Sequence, residues 1–463
     1  ILLCREYFER EGSAFLITRL TLRQLADALD KKELSGLEIT EAYLRRIEEE
    51  DPLLRVYITV TAEKAREQAA AADRRRGEGR PLSRLDGVPA ALKDDICTRG
   101  VRTTCASEML KNFVPPYSAG CYERLEQAGA VLLGKCAMNE FSVSPSFFPS
   151  GSVGEAVSDG AARAVANGLA PFALGSDMDG GLRIPVSAPG RRGVTGLKPT
   201  YGLVSRYGLI PVACSLEQVG ALGASVEDCA VILSHIAGPD SRDSTAAPQP
   251  APDFLEGLEL GVRGLKIGLP KEYLQGPETD ASVRALAEAA ARDLAAAGAQ
   301  IIEISLPHAA YARQTHYILA AAEASSNLAR YDGINLGLRA GRATLQETVR
   351  QSRTAGFGAE VKSRVMFGNH VLSKDCYDDY YLKAMQARTL IKSDYDAAFG
   401  QVSCLLLPAA SKPGGFHAVG ANLAGLPALM VPCGETSGLQ LIGPAFSEPL
   451  LLRAGRALEQ ARI

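Results

Sequence analysis

YSAGCYERLEQAGAVLLG, residues 117–134, is the stretch on which the fold turns. Over residues 117–128 apolar and polar side chains alternate at helical spacing, residues 130–133 are apolar enough for a buried strand, and Gly134 reads as its close. A helix followed at once by a strand is the alternation of a sheet that carries helices on its faces, so an α/β core is expected. Upstream, a β-like run at 88–92 ends on Lys93, behind a break at 81–86 and an Ala-, Glu- and Arg-rich helix at 61–76. Before it, Leu22, Leu25, Leu29, Ile39, Ala42, Leu44 and Ile47 recur at helical spacing. Downstream, residues 142–159 turn to Ser, Pro, Gly and Phe with no period and read as a loop lying across something, and a helix resumes over 160–167. Pro248, Pro250 and Pro252 make 246–253 the clearest linker, and a second lobe is expected to begin near residue 254. There, 265–269 reads as a strand and 281–297 as an Ala-rich helix. Helices are then expected at 311–330, 344–353 and 378–395, and strands at 404–407 and 428–431. Residues 1–17, which carry Arg5, Glu6, Glu9, Arg10 and Glu11, resemble neither a signal peptide nor an acid-poor transit peptide. They read as an atypical extension to a main domain at 18–463.

Composition narrows the function. With 46% hydrophobic and 22% charged residues among 463, the chain is globular rather than fibrous or disordered. Fifty Lys+Arg against fifty-three Asp+Glu leave a formal charge of −3, so there is no broad cationic field for a phosphate backbone. If a nucleic acid is involved, something other than this chain is expected to hold it. Ten cysteines without a CxxC pair read as reduced thiols in a cytosol-like compartment. No apolar stretch approaches the roughly 20 residues that span a bilayer. The five histidines show no HxxxH or HxH spacing, so a zinc site is not expected, and neither a P-loop nor GxGxxG occurs.

Two places could carry chemistry. Lys93 stands at the end of an apolar strand before Asp94 and Asp95, where partial desolvation would suit an amine to general-base work. The competing reading is a surface lysine paired with a neighbouring aspartate. Gly175, Gly180 and Gly181, with Ser176 and Asp177 between them, make a turn whose N–H groups could face an oxyanion. Tight turns use glycine for the same backbone reason without any ligand.

Longer segments carry a resemblance. LDGVPAALKDDICTRGVRTTCAS (85–107), GLAPFALGSD (168–177) and GLKPTYGLVSRYGL (196–209) resemble the amidase signature family. EASSNLARYDG (323–333), GAEVKSRVMFGNHVLS (358–373) and ANLAGLPALMVPCG (421–434) are similar to one branch of it, the A subunits of glutamyl-tRNA(Gln) amidotransferases. The likeness runs from about residue 20 to the C-terminus. It implies a central mixed sheet of many strands covered by helices on both faces, and a Ser-cis-Ser-Lys triad that hydrolyses glutamine to ammonia. Lys93 falls on the family's lysine.

The other two members of the triad are where this chain departs. The family reads GGSSGGS before an Ala-rich helix, whereas here the text is GEAVSDG, with Val157 in the slot of the cis-serine and Ser158 beside it. The family's GSDTGGSIRQP is GSDMDGGLRIP here, so the nucleophile slot falls on Gly181 and the oxyanion loop on Asp179 and Gly180. The following stretch is longer and more basic, with Arg191 and Arg192. The family's VKRR is VKSR, which keeps Arg364 as a candidate for the glutamine carboxylate but puts Ser363 beside it, and residues 409–420 contain no acid. Ser158 and Ser176 are the nearest hydroxyls, and a one-residue slip could bring Ser158 toward Lys93. Against that stands the need for a nucleophile within about 3 Å of both its base and the oxyanion donors. The resemblance therefore implies the glutaminase-type member of an amidotransferase, with impaired or absent glutaminase activity. The alternatives are a non-catalytic scaffold and a hydrolase of another amide. The implied partners are the amidotransferase B and C subunits, the former using ATP and Mg and holding the tRNA, with glutamine as the small substrate. This chain itself is expected to carry no cofactor or metal. A cytoplasmic setting is implied, or an organellar matrix, with no membrane.

Overall fold

The computed structural model describes residues 16–143, 160–186, 193–276, 279–341, 344–409, 415–434 and 437–462. The extension expected at 1–17 lies, except for its last two residues, outside them. So do the loop at 144–159 with Val157 and Ser158, the segment with Arg191 and Arg192, and most of the acid-free stretch before the helix Phe416–Leu423.

Eleven strands form one mixed sheet in the order β1-β3-β2-β4-β6-β5-β10-β11-β9-β7-β8. They are β1 Tyr57–Val60, β2 Pro89–Lys93, β3 Val131–Cys136, β4 Ala173–Asp177, β5 Thr195–Lys198, β6 Gln218–Gly223, β7 Lys266–Pro270, β8 Gln300–Ile304, β9 Cys404–Pro408, β10 Ala428–Pro432 and β11 Gly438–Ile442. The two flanks, β3-β2-β4 and β9-β7-β8, are parallel, and the pairs between β4 and β9 are antiparallel. The expected α/β fold with a central mixed sheet is the one observed. Residues beyond 254 add β7 to β11 to that same sheet.

Each face of the sheet has its own core, because side chains alternate across a strand. On β9, Cys404 and Leu406 enter one apolar cluster while Leu405 and Leu407 enter the other. A strand apolar on both faces is what a sheet covered on both sides demands. The first cluster is closed by helices including Leu22–Asp30, Gly36–Leu54, Ala281–Ala296 and Glu448–Arg462. The first two of these start at capping boxes, Thr21 with Gln24 and Ser35 with Glu38, which fixes where the helical entry segment begins. The second cluster lies under Ala312–Asn327, which packs on Ala359–Val371 and Lys383–Phe399.

The opening stretch folds as helix Gly120–Gln127 and β3. The strand does not close at Gly134 but runs on to Cys136. There the glycine serves close approach: a Cβ on it would lie 2.3 Å from the Thr59 carbonyl oxygen of β1. No helix among the described residues is long and apolar enough to cross a membrane.

Candidate active site

The site begins at the carboxyl ends of two neighbouring parallel strands. Ala91 and Leu92 of β2 lie opposite Ala173 and Leu174 of β4, so the register brings Lys93 beside Ser176. Lys93 is buried, which removes the surface-lysine reading, and its Nζ donates to Ser176 Oγ at 2.9 Å and to the Ser176 carbonyl at 3.1 Å. Ser176 Oγ in turn donates to Asp95 Oδ2 at 2.5 Å, and Asp95 stands 3.7 Å from the lysine amine. Ser142 adds a longer hydrogen bond to the same carboxylate oxygen at 3.3 Å. Asp94 turns the other way and accepts from the Thr104 backbone and hydroxyl, with Lys135 at 3.5 Å. The pairing expected between Lys93 and an adjacent aspartate thus goes to Asp95, through a buried serine that the sequence offered only as a nearby hydroxyl.

The turn after β4 is held from beneath. Asp177 Oδ2 accepts from Arg183 Nε at 2.9 Å, and Asp177 Oδ1 accepts from Gly180 N at 2.8 Å and Asn422 Nδ2 at 2.9 Å. Arg183 also donates to Asn422 Oδ1 at 2.6 Å, to the Ala418 carbonyl at 3.1 Å and to Gln440 Oε1. Both charged side chains are fully buried. Burial alone would raise the Asp177 carboxyl, but the Arg183 guanidinium overrides it and holds that group far below the usual carboxylate range. Burial also pushes the neighbouring Lys198 amine down to about 7, helped by the Arg183 charge.

Gly180 has φ of 101°, and a Cβ on it would lie 2.4 Å from Ala418 Cβ, so this position needs glycine for its backbone and its space. Gly181 opens the 3₁₀ turn Gly181–Arg183 and presents no hydroxyl. Asp179 is buried between Met178 and Gly180. The Met178 carbonyl accepts from His316 Nε2 at 3.0 Å. Burial lowers that imidazole to about 4, so it is neutral and donates through Nε2. The next residue, Tyr317, lies under the Arg364 guanidinium, 4.4 Å from ring centroid to Cζ. Arg364 is buried; desolvation lowers its pKa, and the Tyr317 ring and the Asp179 carboxylate oppose that shift. The fold thus gathers Lys93, Asp179, Gly180, Gly181 and Arg364 around the end of β4. Ser158 and Val157 fall outside the described residues. His316, Asn422 and Gln440 were not singled out from sequence as site residues; Asn422 lay inside the quoted ANLAG segment, and the other two carried no local signal.

Among the described residues no group of three or more His, Cys, Asp or Glu side chains is placed to hold a metal ion. The arrangement is a buried lysine beside a glycine turn at a strand end, with the Gly180 N–H taken up by the Asp177 carboxylate.

The chain belongs to the amidase family, whose model, Amidase, matches residues 38–417. Within that family it is similar to the A subunits of glutamyl-tRNA(Gln) amidotransferases. It is 46% identical over 473 residues to the A subunit of the glutamyl-tRNA(Gln) amidotransferase of Moorella thermoacetica, covering 96% of both chains. The crystal structure of the corresponding A subunit of Thermotoga maritima superposes with a TM-score of 0.73 at 31% identity, covering 96% of this chain and 95% of that one. The peptide amidase of Stenotrophomonas maltophilia superposes at 0.80 with 30% identity, covering 96% of each.

Proposed function

We propose that this chain is the A subunit of a tRNA-dependent amidotransferase whose glutaminase centre lacks its nucleophile. The observation that carries the reading is Gly181: the turn that should present a hydroxyl is anchored by Asp177 and Arg183, yet the side chain at its tip is a hydrogen atom. Lys93 keeps a buried seat on Ser176, so a general base has a place but no alcohol at residue 181 to deprotonate. Asp179 adds a second obstacle, because a carboxylate in the oxyanion loop repels the negative charge that develops on the amide oxygen. Loss of a nucleophile costs on the order of 10⁶ in rate, with a residual acceleration from binding and the oxyanion donors.

On this reading Arg364 remains the cation for the glutamine carboxylate. The near-neutral charge of the chain fits an assembly of three proteins, in which the one called B grips the Glu-tRNA or Asp-tRNA and uses ATP and Mg, and the small one called C completes the complex. The setting is a cytosol-like compartment, and no cofactor belongs to this chain. The test is ammonia release from glutamine by the purified chain with the B and C subunits, before and after installing Gly181→Ser, Val157→Ser and Asp179→Gly together. Activity at background before the change and a rise of several orders of magnitude after it support the reading. Full activity in the unaltered chain refutes it. If both forms stay at background while the three-protein complex still forms, the chain is a scaffold that keeps the fold and the partner surface alone.

A further inference from the structure

Of the nine cysteines in the described part of the chain, Cys97, Cys105, Cys121, Cys136, Cys229, Cys404 and Cys433 are buried. Burial pushes the Cys97 thiol up to about 11 and those of Cys121 and Cys404 up to about 12, which keeps them protonated near neutrality. Cys214 is half-buried, its thiol also raised by desolvation and by the Glu217 carboxylate, and its sulfur accepts from Asn327 at 3.4 Å.

Cys376 stands apart from all of them. It is half-buried between the helix Ala359–Val371 and the π-helical turn Asp378–Leu382, with Sγ 3.6 Å from His370 Nε2. His370 is exposed and occupies the last turn of its helix. The Tyr380 ring meets the imidazole edge-on at 5.8 Å. A thiol within hydrogen-bond reach of an accessible imidazole can pass its proton to the ring as its sulfur attacks. Next to Cys376 along the chain stand exposed Lys374 and three exposed acids, Asp375, Asp378 and Asp379, the last tied to Lys383 at 2.7 Å. The surroundings repel anionic reagents.

We propose that Cys376 and His370 form a reactive thiol–imidazole pair, a site of covalent modification by thiol–disulfide exchange with small disulfides that bear no negative charge. The His370 imidazole takes the Cys376 thiol proton as the sulfur attacks one sulfur of the reagent and forms a new S–S bond. The old S–S bond breaks, its electron pair leaves on the second sulfur, and that sulfur takes the proton held by the His370 imidazole. The products are a protein mixed disulfide and one free thiol. The reagent disulfide is the only oxidant the exchange needs.

The experiment is a time course of the full chain with cystamine at neutral pH, read by peptide-resolved mass spectrometry. Cys376 is expected to be modified ahead of the other eight cysteines between residues 16 and 462. His370→Gln is expected to slow Cys376 by about tenfold while the Cys214 rate, an internal control for folding, stays the same. Oxidised glutathione, which is anionic, is expected to label Cys376 more slowly than cystamine. Earlier modification of any of the other eight overturns the proposal, as does an unchanged Cys376 rate in His370→Gln. Equal rates with the two disulfides overturn the charge preference.

Discussion

The turn after β4 has an anchor and a tip, and the two have fared differently. In the anchor, Asp177, Gly180 and Arg183 keep the residues of the amidase pattern, and each side chain or backbone group has partners on other elements: Asn422 and Ala418 on the helix Phe416–Leu423, and Gln440 on β11. At the tip, Met178, Asp179 and Gly181 all depart from that pattern. The difference teaches where the cost of substitution lies. A buried ion pair with several hydrogen bonds cannot lose one member without stranding the other, whereas a tip residue can change with loss of chemistry alone. Lys93 belongs with the anchor in this respect, since Ser176 and Asp95 would lose a buried cationic partner with it.

The largest effect that would break this contrast lies at Arg183. Arg183→Met leaves the Asp177 carboxylate buried without its counter-charge and is expected to destabilise the fold by about 3–5 kcal/mol, measured by urea unfolding. A loss below about 1 kcal/mol would mean that Asn422 and the Gly180 N–H suffice to hold Asp177, and the division into anchor and tip would fail.

A smaller effect sharpens the comparison from beneath the site. Glu217 is buried just ahead of β6, and its Oε1 accepts from the Val212 and Ala213 N–H groups. Desolvation raises its carboxyl to about 7 from an ordinary 4.5, the two N–H groups opposing and the Asp95 charge assisting. A carboxyl whose folded pKa is raised binds more protons folded than unfolded between those values, so its contribution is present at pH 4.5 and below and is lost as pH climbs through about 7. The loss amounts to about 3 kcal/mol. Glu217→Gln cannot ionise, so its stability relative to the parent should improve by that amount between pH 4.5 and 8 in urea titrations at several pH values. His316 works in the opposite sense, its share present above 6.5 and lost as pH falls toward 4, and it acts alike in both proteins. A pH-independent difference would show that Glu217 stays charged in the folded chain.

Particular residues show what the sequence carried and what it could not. The helices at 22–30, 281–296 and 312–327 were legible because apolar side chains or long Ala runs recur at helical spacing over several turns. β5 and β6 were not, since TGLK and QVGALG are buried strands of small and apolar residues, with neither alternation nor β-branched runs to mark them. The helix Ala359–Val371 is implied by the resemblance and not by periodicity: its buried face, Val361, Arg364, Val365, Gly368 and Val371, includes an arginine and a glycine, while Met366 is exposed. At the site, Lys93 was found because it ends an apolar run. Ser176 was not joined to it, and neither was Asp95 preferred to Asp94 as its neighbour, because the Ser176–Asp95 hydrogen bond depends on the β2–β4 register. The partners of Arg183 on the helix Phe416–Leu423 and on β11 lie 235 positions or more away along the chain, beyond the reach of any local pattern.

The smallest effect is expected from two adjacent glycines, and it decides whether the tip is as tolerant as the comparison requires. Gly180 has left-handed backbone and a neighbouring methyl where its Cβ would go, so Gly180→Ala combines a dihedral penalty of about 1–2 kcal/mol with overpacking and should cost about 2–3 kcal/mol. Gly181, one residue on, starts a 3₁₀ turn whose dihedral angles any L-residue adopts, and it is half-buried. Gly181→Ser should therefore change stability by less than about 1 kcal/mol, the lower entropy of the unfolded chain offsetting whatever small adjustment the hydroxymethyl demands. Thermal unfolding of both variants beside the parent measures the difference. A large loss for Gly181→Ser would mean that the turn has closed around its glycine and leaves no room there for a side chain bearing a hydroxyl.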